Sequence, residues 1–187
     1  MDREEARERL LDAAEALFYE RGIQAVGMDE IRARSGVSLK RLYQCFPSKD
    51  ALVEAYLCRR DQHWRTALAD YVDRHAGTEA RPLAVFDWLA TWFAEPSFRG
   101  CAFINSLGEL GASSPGVASA ARQHKRAVGD YLTSLLDGLP TDEAAGLAAQ
   151  LLLLVDGATT TAAITGDPAV AQRARAAAKV LVQAAGR

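Results

Sequence analysis

The chain has 187 residues, 49% of them hydrophobic and 25% charged, with a formal net charge of −2. These values are ordinary for a folded globular chain and exclude disorder, collagen-like repeats and a disulfide scaffold. Three widely spaced cysteines (Cys45, Cys58, Cys101) fit a reducing compartment, and the charged N-terminus and short apolar runs predict a cytoplasmic chain without a membrane partner.

Helix signals run through the whole chain, and no alternating β pattern competes with them. Asp2 with Glu5 forms a capping box before a helix over about 4–21, where Leu10, Leu11, Ala14, Leu17 and Phe18 repeat at helical spacing. A short helix over 28–34 is anchored by Met28 and Ile31 and broken by Ser35-Gly36-Val37-Ser38. There Gly36 suits a left-handed stop and Ser38 an N-cap. A second short helix covers 39–46. Ser48 then caps a long helix ending before Gly77. Further helices are expected from Pro82 to Phe93, over 101–111, from Pro115 to about Asp137, over 141–165 and over 167–187. The expectation is an all-α fold of about nine helices, divided into residues 1–47 and 48–187.

Charge is distributed unevenly along this helical chain. Residues 1–30 hold nine acids against four arginines, whereas residues 32–49 hold five cations (Arg32, Arg34, Lys40, Arg41, Lys49) and no acid. Phosphate attraction is screened within about 8–10 Å, so this local window matters more than the overall charge. Two helices of about two turns cannot stand alone and must be braced by their neighbours. Short helix, glycine turn and short cationic helix make a helix-turn-helix pattern. Its second helix turns Leu42 and Phe46 inward. Lys40, Arg41 and Gln44 then point toward base edges in a major groove about 12 Å wide, behind the capping Ser38. Tyr43 reaches a phosphate oxygen, and Lys49 lies in the first turn of the next helix, whose N–H groups also attract phosphate.

Over about residues 8–57 the sequence resembles the TetR family of transcriptional regulators. The likeness is carried by ERLLDAAEALFYERGIQAV, MDEIRARSGVS and LKRLYQCFPSKDALVEAYL, with Leu42, Tyr43, Phe46 and Lys49 meeting the family's Leu-Tyr-x-x-Phe-x-x-Lys pattern. Residues 100–111 carry a weaker likeness. The resemblance implies an all-helical homodimer with a three-helix N-terminal DNA-binding domain. It also implies a C-terminal domain with a small-molecule pocket and a dimer interface on the last two helices. Gly27, Arg41 and Cys45 depart from the family's usual residues: Gly27 loses a side-chain cap, Cys45 replaces a residue of one family DNA contact, and Arg41 adds a cation at the groove, so base preference does not transfer.

In the C-terminal part, Val170, Ala174, Ala177, Leu181 and Ala184 recur at spacings of four and three, a helix–helix seam. Leu152, on a helix apolar most of the way round, is expected beside Val170, Ala174, Ala177 and Leu181 in the dimer interface. Phe86, Leu89, Trp92, Phe93, Cys101 and Phe103, with Asn105, Asp156 and Thr160 as polar members, are the candidate effector pocket, mostly apolar as small-ligand sites are. His63, His75 and His124 lack metal-ligand spacing, and no P-loop, G-x-G-x-x-G, H-E-x-x-H or G-x-S-x-G occurs. No metal, cofactor or enzymatic activity is expected. The function expected is a ligand-responsive regulator, a repressor that binds a palindromic double-stranded DNA operator as a homodimer and is released by a small-molecule effector. The alternative is a small-molecule-binding helical protein without DNA-binding activity.

Overall fold

The computed structural model describes residues 1–75, 77 and 80–185. Nine helices are present among the described residues. They are α1 (Arg3–Arg21), α2 (Met28–Ser35), α3 (Leu39–Cys45), α4 (Lys49–His75), α5 (Arg81–Phe93), α6 (Ala102–Leu110), α7 (Pro115–Ser134), α8 (Thr141–Thr165) and α9 (Val170–Ala185). The all-α expectation holds, and the last two residues of the expected final helix lie outside the described residues.

The front of the chain folds as its capping residues dictate. The Asp2 carboxylate accepts from the Glu5 N–H at 2.8 Å, Ser38 Oγ from Arg41 N–H at 3.4 Å and Ser48 Oγ from Ala51 N–H at 3.1 Å. Each satisfies a donor that the first helical turn would otherwise leave unpaired. Gly36 ends α2 at φ 67°, and its N–H returns to Arg32 O at 3.1 Å. A side chain here would oppose the left-handed backbone that turns α2 into α3.

The chain divides into two compact units that differ from a division at residues 47 and 48. The first comprises residues 1–63 and 102–123, the second residues 64–101 and 124–187. Helices α4 and α7 each contribute to both. In the first unit, Leu10, Ala14, Ile31, Leu42 and Leu52 are fully buried, with Phe18, Phe46 and Tyr56 nearly so. Two arginines of α4 tie it to α1. Arg59 meets Glu8 at 3.2 Å, Asp12 at 2.8 Å and Glu15 at 2.9 Å, and Arg60 meets Glu15 at 2.9 Å and covers the Tyr19 ring. Burial works against the Arg59 charge, but the hydrogen bond to Asp12 and the charge of Glu15 outweigh it and raise its pKa.

The second unit packs α5, α8 and α9 on one another around Phe86, Leu89, Leu132 and Leu151. Helix α8 is long and apolar enough, by length and composition alone, to cross a membrane, a test that core helices of globular proteins also pass. Its Ala144, Leu147, Leu151, Val155 and Ala158 face the protein core.

One expectation is corrected here, that of the seam. Val170, Ala174 and Leu181 pack with Ala171, Ala178, Val182 and Ala185 against this chain's own core, as does Leu152 of α8. The physical reason is periodicity: these α9 positions form one face at 3.6 residues per turn, satisfied within the chain by α5 and α8. Of the expected interface set only Ala177 is exposed. The outward faces instead carry Leu153 (74% exposed) and Ile164 (79%) on α8 and Val180 (65%) on α9, beside exposed Gly157, Thr160, Ala177 and Ala184.

Candidate DNA-binding site

Helix α3 is seven residues long, so its conformation depends on what lies beneath it. Leu42 is fully buried, Phe46 is 2% exposed and Cys45 is buried. Cys45 donates its weak S–H to Arg3 O at 3.7 Å, so this departure from the family pattern is a core residue facing α1. With that side anchored, Ser38, Lys40, Tyr43 and Gln44 are exposed and Arg41 is half-buried, and Arg32 and Arg34 of α2 are exposed as well. The expected outward set is therefore brought together on α3.

Lys49 differs in part from its expectation. Its ammonium donates to Ile23 O at 2.6 Å and lies 6.0 Å from the centre of the Phe18 ring. Much of its role is thus to hold the α1–α2 connection, although an ammonium keeps two further protons for other acceptors. Arg32 is also partly engaged, with Asp29 at 3.7 Å. Two cations of α1, outside the basic window of residues 32–49, also join the site. Arg3 donates to Gln44 O at 3.2 Å, and Arg7 lies 4.7 Å over the Phe46 ring. Both contacts span some 40 residues of chain, so no local pattern marks them.

Glu109 also proves to belong here, although its place in the sequence sets it among the polar residues near the expected pocket. From α6 it grips the connection between α1 and α2. Its Oε2 accepts from the Gln24 N–H at 2.9 Å, and its main-chain oxygen accepts from Gln24 Nε2 at 2.6 Å. Gly22, at φ 87°, makes room: a Cβ there would lie 3.1 Å from both carboxylate oxygens. Lys49 and Glu109 hold the same short connection. Glu109→Ala is expected to cost about 1 kcal/mol, the value of a partly exposed charge-assisted hydrogen bond. In a thermal melt that reads as a fall of about 2–4 °C. Glu109→Gln, which keeps an acceptor oxygen, should recover most of it.

The nine candidate pocket residues do not share one environment. Phe103 and Asn105 belong to the first unit, the other seven to the second. Phe86 and Leu89 are fully buried core. Trp92 stacks on Trp88 with centroids 5.5 Å apart and meets Trp64 and Phe98 edge-on, so these aromatics pack chiefly on one another. Asn105 and Thr160 are exposed, which corrects their expected placement among apolar residues. The helical period turns Thr159 inward instead, where its hydroxyl donates to Val155 O at 2.7 Å. Asp156 pairs with Lys125, whose ammonium also lies 3.8 Å from the buried Cys101 sulfur. Among the described residues, no group of three or more His, Cys, Asp or Glu is placed to hold a metal.

Comparison with known proteins agrees with this geometry. Residues 10–56 match the family model described as bacterial regulatory proteins, tetR family. An uncharacterized HTH-type transcriptional regulator of Mycobacterium tuberculosis is 32% identical over 191 residues, covering 87% of this chain and 92% of its own length. The HTH-type transcriptional activator FasR of Mycolicibacterium smegmatis is 41% identical over 93 residues, 48% of this chain and 42% of FasR. The crystal structure of a TetR-family transcriptional regulator from Streptomyces coelicolor has a TM-score of 0.88 at 30% identity, covering 98% of this chain and 91% of that one. A braced helix-turn-helix with an outward cationic helix, inside a helical chain so related over nearly its whole length, places this protein in the TetR family of transcriptional regulators, with a DNA-binding helix-turn-helix.

Proposed function

We propose that the protein is a ligand-responsive repressor that binds a palindromic operator as a homodimer. The observation that carries the DNA-binding part is the division of α3 into a fully buried Leu42 side and an exposed side bearing Ser38, Lys40, Tyr43 and Gln44, with Arg41 at its edge. Lys40, Arg41 and Gln44 contact base edges, Tyr43 and the remaining protons of Lys49 contact phosphates, and Ser38 orients the start of the helix. Pairing two copies through the outward faces of α8 and α9 supplies the two-fold symmetry that an operator with half-sites about 34–36 Å apart, one turn of duplex, requires. The apolar side chains Leu153, Ile164 and Val180 support that pairing, because each leaves most of its surface exposed in the single chain.

An unidentified small molecule binding in the second unit, where Asp156 and Lys125 form a charged pair close to the buried Cys101 sulfur, would release the operator. Helix α4 begins in the first unit and ends in the second, and it carries the coupling. Such coupling requires the effector to prefer one spacing of the two recognition helices over another. FasR is named an activator, and its likeness covers only about half of each chain. The sign of regulation depends on where the operator lies relative to the promoter, and repression by occlusion needs nothing beyond tight binding.

Fluorescence anisotropy on duplexes covering the DNA that flanks the protein's own gene, repeated across a salt series, tests the reading. Five cations per chain make ten per dimer, and full phosphate engagement of all ten would give a slope of log K against log salt near −9. With some of them on bases or held internally, a slope of about −4 to −8 is expected. Binding that ignores salt, or no binding to any duplex, would leave the small-molecule-binding alternative standing.

A further inference from the structure

We infer that Leu39 reads a thymine methyl group in each half-site and so sets base preference at one position of the operator, an assignment that rests on α3 entering the major groove. Leu39 is the first residue of α3 and is 48% exposed. The core does not use it, since Val37, Leu42, Cys45 and Phe46 fill the inward positions beneath this helix. One turn on, Tyr43 is also 48% exposed, so the two form an apolar strip along the outward face. Around that strip stand hydrogen-bonding and charged groups: Ser38, Lys40, Arg41 and Gln44.

The chemistry of the groove leaves Leu39 one specific contact. Its side chain neither donates nor accepts a hydrogen bond, whereas the donor and acceptor edges of guanine, cytosine and adenine require one or the other. Among the four bases only thymine presents an apolar group in the major groove, its C5 methyl. A leucine pressed against any other edge would strip water from polar atoms and return nothing, which penalises those bases. Position 39 therefore discriminates both by attraction to a methyl group and by exclusion of unpaired polar edges.

The test uses the full-length chain. Duplexes are selected by binding from a randomised library. Each thymine of the selected half-site is then replaced in turn by deoxyuridine, which lacks only the methyl group. The wild-type chain should lose about four-fold in affinity at one thymine when a single half-site is altered, and about sixteen-fold when both are. Leu39→Ala should bind the thymine and deoxyuridine duplexes equally at that position, and its melting temperature should match that of the wild-type chain because the side chain is exposed. If the wild-type chain binds every deoxyuridine duplex as tightly as its thymine parent, or if Leu39→Ala keeps the full wild-type loss, the assignment is wrong while the regulator reading survives. Failure to select any duplex overturns both.

Discussion

Replacing Lys40 and Arg41 together by alanine should lower operator affinity by about three orders of magnitude and leave the fold intact. In a dimer the double variant removes four cations from the groove. At about 1 kcal/mol for each cation the sum is about 4 kcal/mol, or a factor near 10³. Neither side chain supports the core: Lys40 is exposed and Arg41 half-buried, and the hydrogen bond to Ser38 Oγ comes from the Arg41 main chain, which alanine keeps. Helical content and melting temperature should therefore stay near those of the parent chain. The salt series separates two modes of binding. If both cations sit on phosphates, the slope of log K against log salt becomes shallower by about 3–4, roughly 0.9 for each phosphate no longer neutralised. If they read bases, the loss falls mainly on the selected operator and much less on unrelated duplexes. The contrast is Leu42→Ala, which removes a fully buried side chain and costs about 2–5 kcal/mol of stability. It should unfold the site rather than silence it. A double variant that still binds the operator within ten-fold of the parent would mean that α3 is not the recognition helix.

What was legible in the sequence was the locally encoded part. Asp2, Ser38 and Ser48 each cap a helix through a hydrogen bond to an N–H three residues on, and Gly36 forms its turn through its own backbone, so a short window reveals all four. The division of α3 into inward Leu42 and Phe46 and outward Lys40, Tyr43 and Gln44 follows from the helical period in the same way. Hydrogen bonds joining distant segments leave no such trace. Glu109 reaches Gln24 across 85 residues, Lys49 reaches Ile23 across 26, and Arg3 reaches Gln44 across 41. Alanine-rich helices hide their orientation for another reason. In α9 both the Val170–Ala174–Leu181 face and the Ala177–Val180–Ala184 face satisfy a three-four spacing, and only packing against α5 and α8 decides which one is inward. Aromatic residues in α5 were ambiguous on composition alone, since a cavity lining and a close-packed core use the same side chains.

Converting Leu153 and Val180 to arginine should turn the assembly into monomers and cost operator binding about three orders of magnitude at nanomolar protein. Leu153 is 74% exposed and Val180 65% exposed in the single chain, so a cation at either position meets water and changes chain stability by no more than about 0.5 kcal/mol. In the proposed dimer the same two positions lie in the paired α8 and α9 faces, where four arginines per assembly would be desolvated without partners, each at a cost of several kcal/mol. Sedimentation velocity should show a single species near the mass of one chain, with helical content unchanged by circular dichroism. Affinity falls because the second half-site is no longer held at high effective concentration by the first, a gain that for linked modules is worth about 10²–10⁴. Leu151→Arg provides the internal contrast. Leu151 lies on the same helix but is fully buried, so a charge there should unfold the chain rather than dissociate it. A double variant that sediments as a dimer and binds the operator as the parent does would place the interface elsewhere on the molecule. A variant that sediments as a monomer but keeps full affinity would separate pairing from operator recognition, since a half-site would then be the whole site.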